Sequence, residues 1–466
     1  VKPIKATHSE RTREVRSGFA GKRAEGCGRS ASAIARDFPL RLHGFQVRSL
    51  YLIAAVFLLL AAGCGNTPQA PVDAALYVPQ ILHAAPLERP AEPIAEMTQI
   101  ARAANEFSFA LAAELAQTTG NENFVVSPYS VWLPLAALLN ATDDAFKPPL
   151  AELLGGAGVN EADINRAASR MMFDLTSGNS PLTIANTVFV RNNERLRRDF
   201  AETFFNYYRG TAISVDFQAP ETVALVNQWI YDNTNGLISD VVQEFNPDTV
   251  LSVINAIHFY DRWAHEFHSG RTAPGDFYSP GGTSPAYFMR SEITRFYFED
   301  DLVQATHLAF SQGGGMYIFL PKSGDATGVL SSMTPEYFEY IRNNGGQKHI
   351  LLKLPRFSIE SNWSELNGTL IELGVPLFCE FSAPLTGGLV YGDIPLHVAS
   401  ASQAATIDVN EYGTTAAAAT MMIVPQSQPP PPETEMICNT PFVFVLYQNT
   451  FDGDAQIIFI GVVNAP

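Results

Sequence analysis

The sequence predicts an α+β fold. Helix-like periodicity is concentrated in the first half of the main body and strand-like apolar runs in the second, without regular alternation. The chain has 466 residues, 46% hydrophobic and 17% charged, which excludes a disordered polymer poor in apolar residues and rich in charge. No linker and no internal repeat interrupts residues 98–466, so they read as one large domain. A body of roughly 370 residues buries about 75% of its unfolded surface, enough for a large core. Four cysteines are too few to staple such a chain.

The first helix is expected over Met97–Gln117, with Ile100, Ala103, Phe107, Leu111 and Leu115 on one face. Ser127-Pro128 opens a second, because Ser caps an N-terminus and Pro suits the first helical position. A third spans Val223–Asp240 with a break at Gly236. Strands are expected at Leu251–Tyr260, Tyr317–Leu320, Ile350–Pro355, Phe442–Tyr447 and Ile457–Val463.

Before the body the chain changes character three times. Residues 1–46 are basic and do not fit in front of a secretory signal, so they are expected to be an over-extended N-terminus. Residues 50–62 form an unbroken apolar run of 13, too short for the ~20 residues that span a bilayer. With Arg48 ahead and small residues behind, 47–63 reads as a signal peptide. Its end, Leu60-Ala-Ala-Gly-Cys64, resembles a bacterial lipobox, which implies lipidation at Cys64 and a secreted, extracellular protein anchored to a bacterial membrane surface. A two-chain lipid anchor holds durably where one chain does not. Residues 64–97 are Pro- and Ala-rich and read as an extended tether.

Charge and motifs narrow the function classes. Residues 1–48 hold 11 Lys/Arg against four acids, whereas the chain from residue 64 holds 19 against 43. An acidic body lacks the basic surface that nucleic acid or an anionic membrane requires, so the only membrane link expected is the anchor. His265 and His268 lie three apart, not the four of a zinc-protease helix, and no metal or other cofactor is expected. No Gly-x-Ser-x-Gly elbow, P-loop or dinucleotide-binding glycine pattern supports an enzyme. Cys379 and Cys438 can be a pair or two separate buried thiols.

The informative segment is 408–440. After Glu411 and Gly413, residues Thr414 to Thr420 are small and uncharged, and Met421-Met-Ile-Val-Pro-Gln-Ser-Gln-Pro-Pro-Pro-Pro432 follows. The proline run fits an exposed loop. The alanine stretch fits something else. Taking every second residue from Thr414 gives Thr414, Ala416, Ala418, Thr420, Met422 and Val424, all of which can face a core in a strand. The segment permits two states, exposed loop and inserted strand.

Here the chain resembles the serpin family over essentially all of 98–466. The resemblance rests on Asn123-Phe-Val-Val-Ser-Pro-Tyr-Ser130, Ala185-Asn-Thr-Val-Phe-Val190, Val226-Asn-Gln-Trp229 with Thr234-Asn-Gly-Leu-Ile238, and Val253-Ile-Asn-Ala-Ile-His-Phe259 with Trp263 and Phe267. Leu354-Pro-Arg-Phe-Ser-Ile-Glu360, the hinge at Asn410–Thr420, Asn439-Thr-Pro-Phe442 and Phe459-Ile-Gly-Val-Val-Asn464 follow in the family's order. It implies three β-sheets, about nine helices and an exposed reactive-centre loop that baits a protease. Cleavage leaves an acyl-enzyme, and loop insertion into the central sheet traps it. The catalysis is the protease's, so the chain is not itself an enzyme.

The resemblance also implies roles. Gly413 gives the bend, Thr414 enters the sheet first, and Ala416, Ala417, Ala418, Ala419 and Thr420 follow at low steric cost. Arg356 and Glu411 align with an ion pair at the start of insertion. Ser127, Ser130, Asn255 and Gln403 align with a polar cluster beneath the opening sheet, where the family often has His in place of Gln403. The family's Ala-Asp pair reads Ala383-Pro384 here. Counting forward from Glu411 puts the scissile bond at Ser427-Gln428, and counting back from Pro441 lands near Pro430. Residues 421–432 contain no Lys, Arg, Phe, Tyr or Trp, which favours an elastase- or subtilisin-like serine protease. A papain-like cysteine protease is the alternative target, and a non-inhibitory binding protein the alternative function. The expected partner is a target protease, held covalently by a monomer.

Overall fold

The computed structural model describes residues 94–466 apart from 235, 237, 239–240, 379–382, 393–394, 415–430, 451–452 and 454, and the backbone of 53–63. Nine α-helices lie among the described residues: α1 (Met97–Thr119), α2 (Pro128–Leu139), α3 (Lys147–Gly155), α4 (Glu161–Thr176), α5 (Arg198–Tyr208), α6 (Pro220–Asn233), α7 (Ala326–Ser332), α8 (Pro335–Asn344) and α9 (Asn367–Glu372). The first six precede most of the strands, as an α+β chain should. α1 stops at Gly120, whose φ of 62° suits glycine. All twelve residues of α2 are buried, so it is a core helix rather than an amphipathic one. α6 ends at Asn233, short of the expected Asp240. The Asn233-Thr-Asn-Gly236 run stops it, with Gly236 at φ 79°.

The central sheet has six strands in the order β11 (Phe357–Trp363), β12 (Leu396–Val409), β1 (Ile53–Gly63), β5 (Thr249–Phe259), β3 (Leu182–Arg191) and β4 (Gly210–Val215). Only β3 and β4 pair in parallel. Every residue of β5 is buried, because helices and the second sheet system cover its faces. The apolar run that the sequence assigns to a signal peptide is β1, a strand antiparallel to both β12 and β5.

The other strands share one hydrogen-bonded path around β7 (Gly282–Glu299). The first part of β7, with β6 (Ala273–Ser279), β10 (Gly346–Pro355) and β13 (Thr434–Ile437), makes one sheet. Its last residues pass into another, made with β8 (Val303–Ala309), β9 (Gly315–Pro321), β14 (Phe442–Asn449), β15 (Ala455–Val463) and β2 (Phe124–Val126). The fold thus has the three expected sheets. The whole of β15 and all of β14 except Asn449 are buried, and with α1 and α2 they form the core behind the central sheet.

Candidate functional site: the hinge and the central sheet

β12 leads directly into the hinge. The chain turns over Asn410–Gly413, with the Asn410 amide donating to the Gly413 carbonyl at 3.1 Å. Gly413 also bridges Arg262, just beyond the end of β5. An added Cβ at Gly413 would lie 2.2 Å from the Asp261 carbonyl oxygen, so only glycine fits there. Thr414 follows, fully buried. Its amide donates to the Asp261 carbonyl at 3.0 Å and its hydroxyl to the same oxygen at 3.2 Å, while the Asp261 amide donates to the hydroxyl at 3.3 Å. The first residue after the bend is therefore already seated against the strand opposite.

Aromatic and ionic groups lock this turn. The Trp263 indole stacks on Phe310 at 4.9 Å and donates to the Asn410 carbonyl at 2.9 Å. The amides of Trp263 and Phe267 donate to the carbonyls of Tyr412 and Glu411. Arg356 Nε lies 3.0 and 2.9 Å from the two carboxylate oxygens of Glu411, and Thr272 donates its hydroxyl to the same carboxylate. Burial pushes the Glu411 carboxyl up, but these bonds outweigh it and hold its pKa below the usual value. Asp408, beside the turn, is shifted upward by burial, with Asn410 opposing.

That balance gives an expected outcome. Arg356→Ala leaves a buried carboxylate short of its charged donor and should lower stability by ~1–3 kcal/mol at neutral pH, read as a lower urea midpoint. Because the folded pKa of Glu411 is depressed, the pair's contribution is full above about 4.5, its ordinary value, and is lost as pH falls through the folded value. The gap between variant and parent should therefore close in acid.

The predicted polar cluster divides into two pairs. Gln403 of β12 accepts from the Ser127 amide through Oε1 and donates to the Ser127 carbonyl through Nε2, both at 2.9 Å. Ser127 therefore acts through its main chain, and its buried hydroxyl, without a partner among the described residues, does not cap α2. Ser130 donates to Asn255 Oδ1 at 2.5 Å, Asn255 donates to Asn186 Oδ1 at 2.8 Å, and Asn186 donates to the Tyr208 carbonyl at 2.7 Å. Between Gln403 and Asn255 runs β1, with Phe57 in register opposite both.

Several expected positions lie outside the described residues: Ala416–Thr420, Ser427, Gln428, Cys64 and Cys379. Cys438 is a buried free thiol, its pKa raised by burial. Among the described residues no group of His, Cys, Asp and Glu could hold a metal. Asp261 and Thr272 were not legible as hinge residues. Their signal is positional, one beyond the end of β5 and one in the connection to β6.

A fold of this kind, with its central sheet running straight into a locked hinge, defines the class of protein, and comparison with known proteins gives the family. The family model described as Serpin (serine protease inhibitor) matches residues 102–466. The chain belongs to the serpin family. It is 28% identical over 378 residues to an uncharacterised serpin-like protein of Thermococcus kodakarensis, covering 79% of this chain and 86% of that protein. It is 30% identical to serpin A3-3 of Bos taurus over 68% of this chain and 78% of the relative. Among solved structures, the native-state thermophilic serpin tengpin matches with a TM-score of 0.72 and 22% identity, over 83% of this chain and 98% of that one. Human thyroxine-binding globulin matches with a TM-score of 0.70 and 21% identity, over 80% and 100%.

Proposed function

We propose that this chain inhibits secreted serine proteases, elastase- or subtilisin-like, as a suicide substrate. The observation that carries the reading is the hinge. Thr414 is buried and bonded between the ends of two strands, and the residues after it are small and uncharged. The protease serine attacks the Ser427 carbonyl, its histidine passes the proton to the departing amine of Gln428, and an ester joins the two proteins. The freed loop then enters the sheet beside β12, before water hydrolyses the ester. About ten new ladder hydrogen bonds at ~1 kcal/mol each supply a driving force on the order of 10 kcal/mol.

The register supports the bond chosen. Continuing the Asn410–Gly413 bridge in antiparallel register sets Thr414 opposite Val409, the last residue of β12, and Ser427 opposite Leu396, its first. Insertion to Ser427 thus uses the strand's full length and carries the acyl-linked protease to the far end. Pro425 costs one ladder bond on the way. The protein acts outside the cell, as a monomer anchored through Cys64.

The test is a denaturing gel of residues 64–466 mixed with pancreatic elastase and, separately, subtilisin. A band at the summed mass that survives boiling in detergent is expected, with the released peptide beginning at Gln428. Cleavage with no such band and no rise in the melting temperature of the cleaved protein would sink the reading.

A further inference from the structure

The place the loop must enter is filled. β1 lies between β12 and β5 and pairs along both. We propose that residues 53–63 are an intramolecular plug of the insertion slot, so that the chain retaining them is held in an uninhibitory state and release of the segment switches trapping on. This inference rests on the loop-insertion reading above.

The register makes the competition specific. Gly413 bridges Asn410 on the β12 side and Arg262 on the β5 side. Extending both bridges in antiparallel register places residue 417 opposite Thr406 and His258, the two residues that Ala54 faces. It places residue 420 opposite Gln403 and Asn255, the two that Phe57 faces. Two independent pairings thus set the loop and β1 in the same positions, running in the same direction. Residues 414 and 415 can enter ahead of the plug, and residue 416 meets it opposite Phe259, which Ile53 faces.

The compositions match too. Ala54-Ala-Val-Phe-Leu-Leu-Leu60 stands where Ala417-Ala-Ala-Thr-Met-Met-Ile423 would lie, both uncharged throughout and apolar except at Thr420. A strand central to a sheet covered on both faces takes such a sequence. The tether from Cys64 to the start of α1 exceeds 30 residues and lets the plug reach its slot, while keeping its effective concentration near millimolar. Separation at Gly63-Cys64, where the lipobox-like pattern expects processing, removes β1 as a unit.

The test uses the full chain and a V56P/L59P double variant, since proline cannot pair within a central strand. Amides 54–62 of the unmodified chain should exchange at least ~100-fold more slowly than in a free peptide. The double variant should lose that protection and form about tenfold more detergent-stable complex with elastase or subtilisin than the unmodified chain. Equal complex formation by the two chains overturns the plug and leaves the inhibitor reading standing. If neither chain forms complex, protection lost in the variant supports the plug and counts against loop insertion. Fast exchange of amides 54–62 in the unmodified chain overturns the plug by itself, whether or not the variant folds.

Discussion

Replacing Thr414 by arginine is expected to convert the inhibitor into a substrate. Thr414 is fully buried, and its hydroxyl both donates to and accepts from the Asp261 main chain. A guanidinium placed there needs a buried counter-charge. The Asp261 carboxylate is nearby but engaged, accepting from the Ser311 hydroxyl and from the amides of Arg262 and Gln312. An unpaired buried charge costs several kcal/mol, a large share of a driving force on the order of 10 kcal/mol. Because Thr414 is already seated in the uncleaved protein, the guanidinium keeps this end of the hinge out of the sheet from the start, and the later ladder bonds cannot form to offset the cost.

The bait lies a dozen residues along the chain, so Thr414→Arg should be cut at an unchanged rate. The acyl-enzyme then hydrolyses before the loop can enter. In residues 64–466 the moles of inhibitor consumed per mole of protease inactivated should rise at least ~10-fold, and the cleaved variant should not gain thermal stability. Thr414→Ser keeps both hydrogen bonds and should inhibit as the parent does. Full-stoichiometry trapping by Thr414→Arg would mean that insertion is not the mechanism.

What was legible follows from what each segment buries. α1 shows its face because one side packs on the core and the other meets solvent, which is the condition for periodicity. α4 was missed although Asn160 caps it, because its buried face carries Asp163, Asn165, Arg170 and Asp174 as well as Ile164 and Met171, and hydropathy cannot tell those from a solvated face. β7 was missed because it passes from one sheet into another, and its buried positions change phase along the way. β1 shows the opposite difficulty. A run of Ala, Val, Leu and Phe is the same sequence whether it is to cross a translocation apparatus or to lie in a sheet covered on both faces. The Arg356–Glu411 contact is a pairing of charged side chains, which a family resemblance can transfer by position. The Ser127–Gln403 contact depends on which main-chain atoms α2 leaves unpaired at its start, and no side-chain identity records that.

The largest effect on the resting fold is expected at Asn255, fully buried in β5. Its amide is used at both ends, accepting from Ser130 and donating to Asn186. Asn186 faces it directly across the β3–β5 pairing and passes the chain of bonds to the end of α5 through the Tyr208 carbonyl. The sheet, α2 and α5 are thus joined by one line of direct hydrogen bonds. Asn255→Ala leaves the Ser130 hydroxyl and Asn186 Oδ1 without these partners. At ~1–3 kcal/mol for each abandoned group the loss is ~2–6 kcal/mol. In the uncleaved protein that should appear as a melting temperature lower by roughly 3–8 °C. Asn186→Ala in the same background should add less than it costs alone, because its partner is already gone. Two losses that simply add would show that the three hydrogen bonds are separate contacts rather than one network, and the sheet could then part at β5 without disturbing α5.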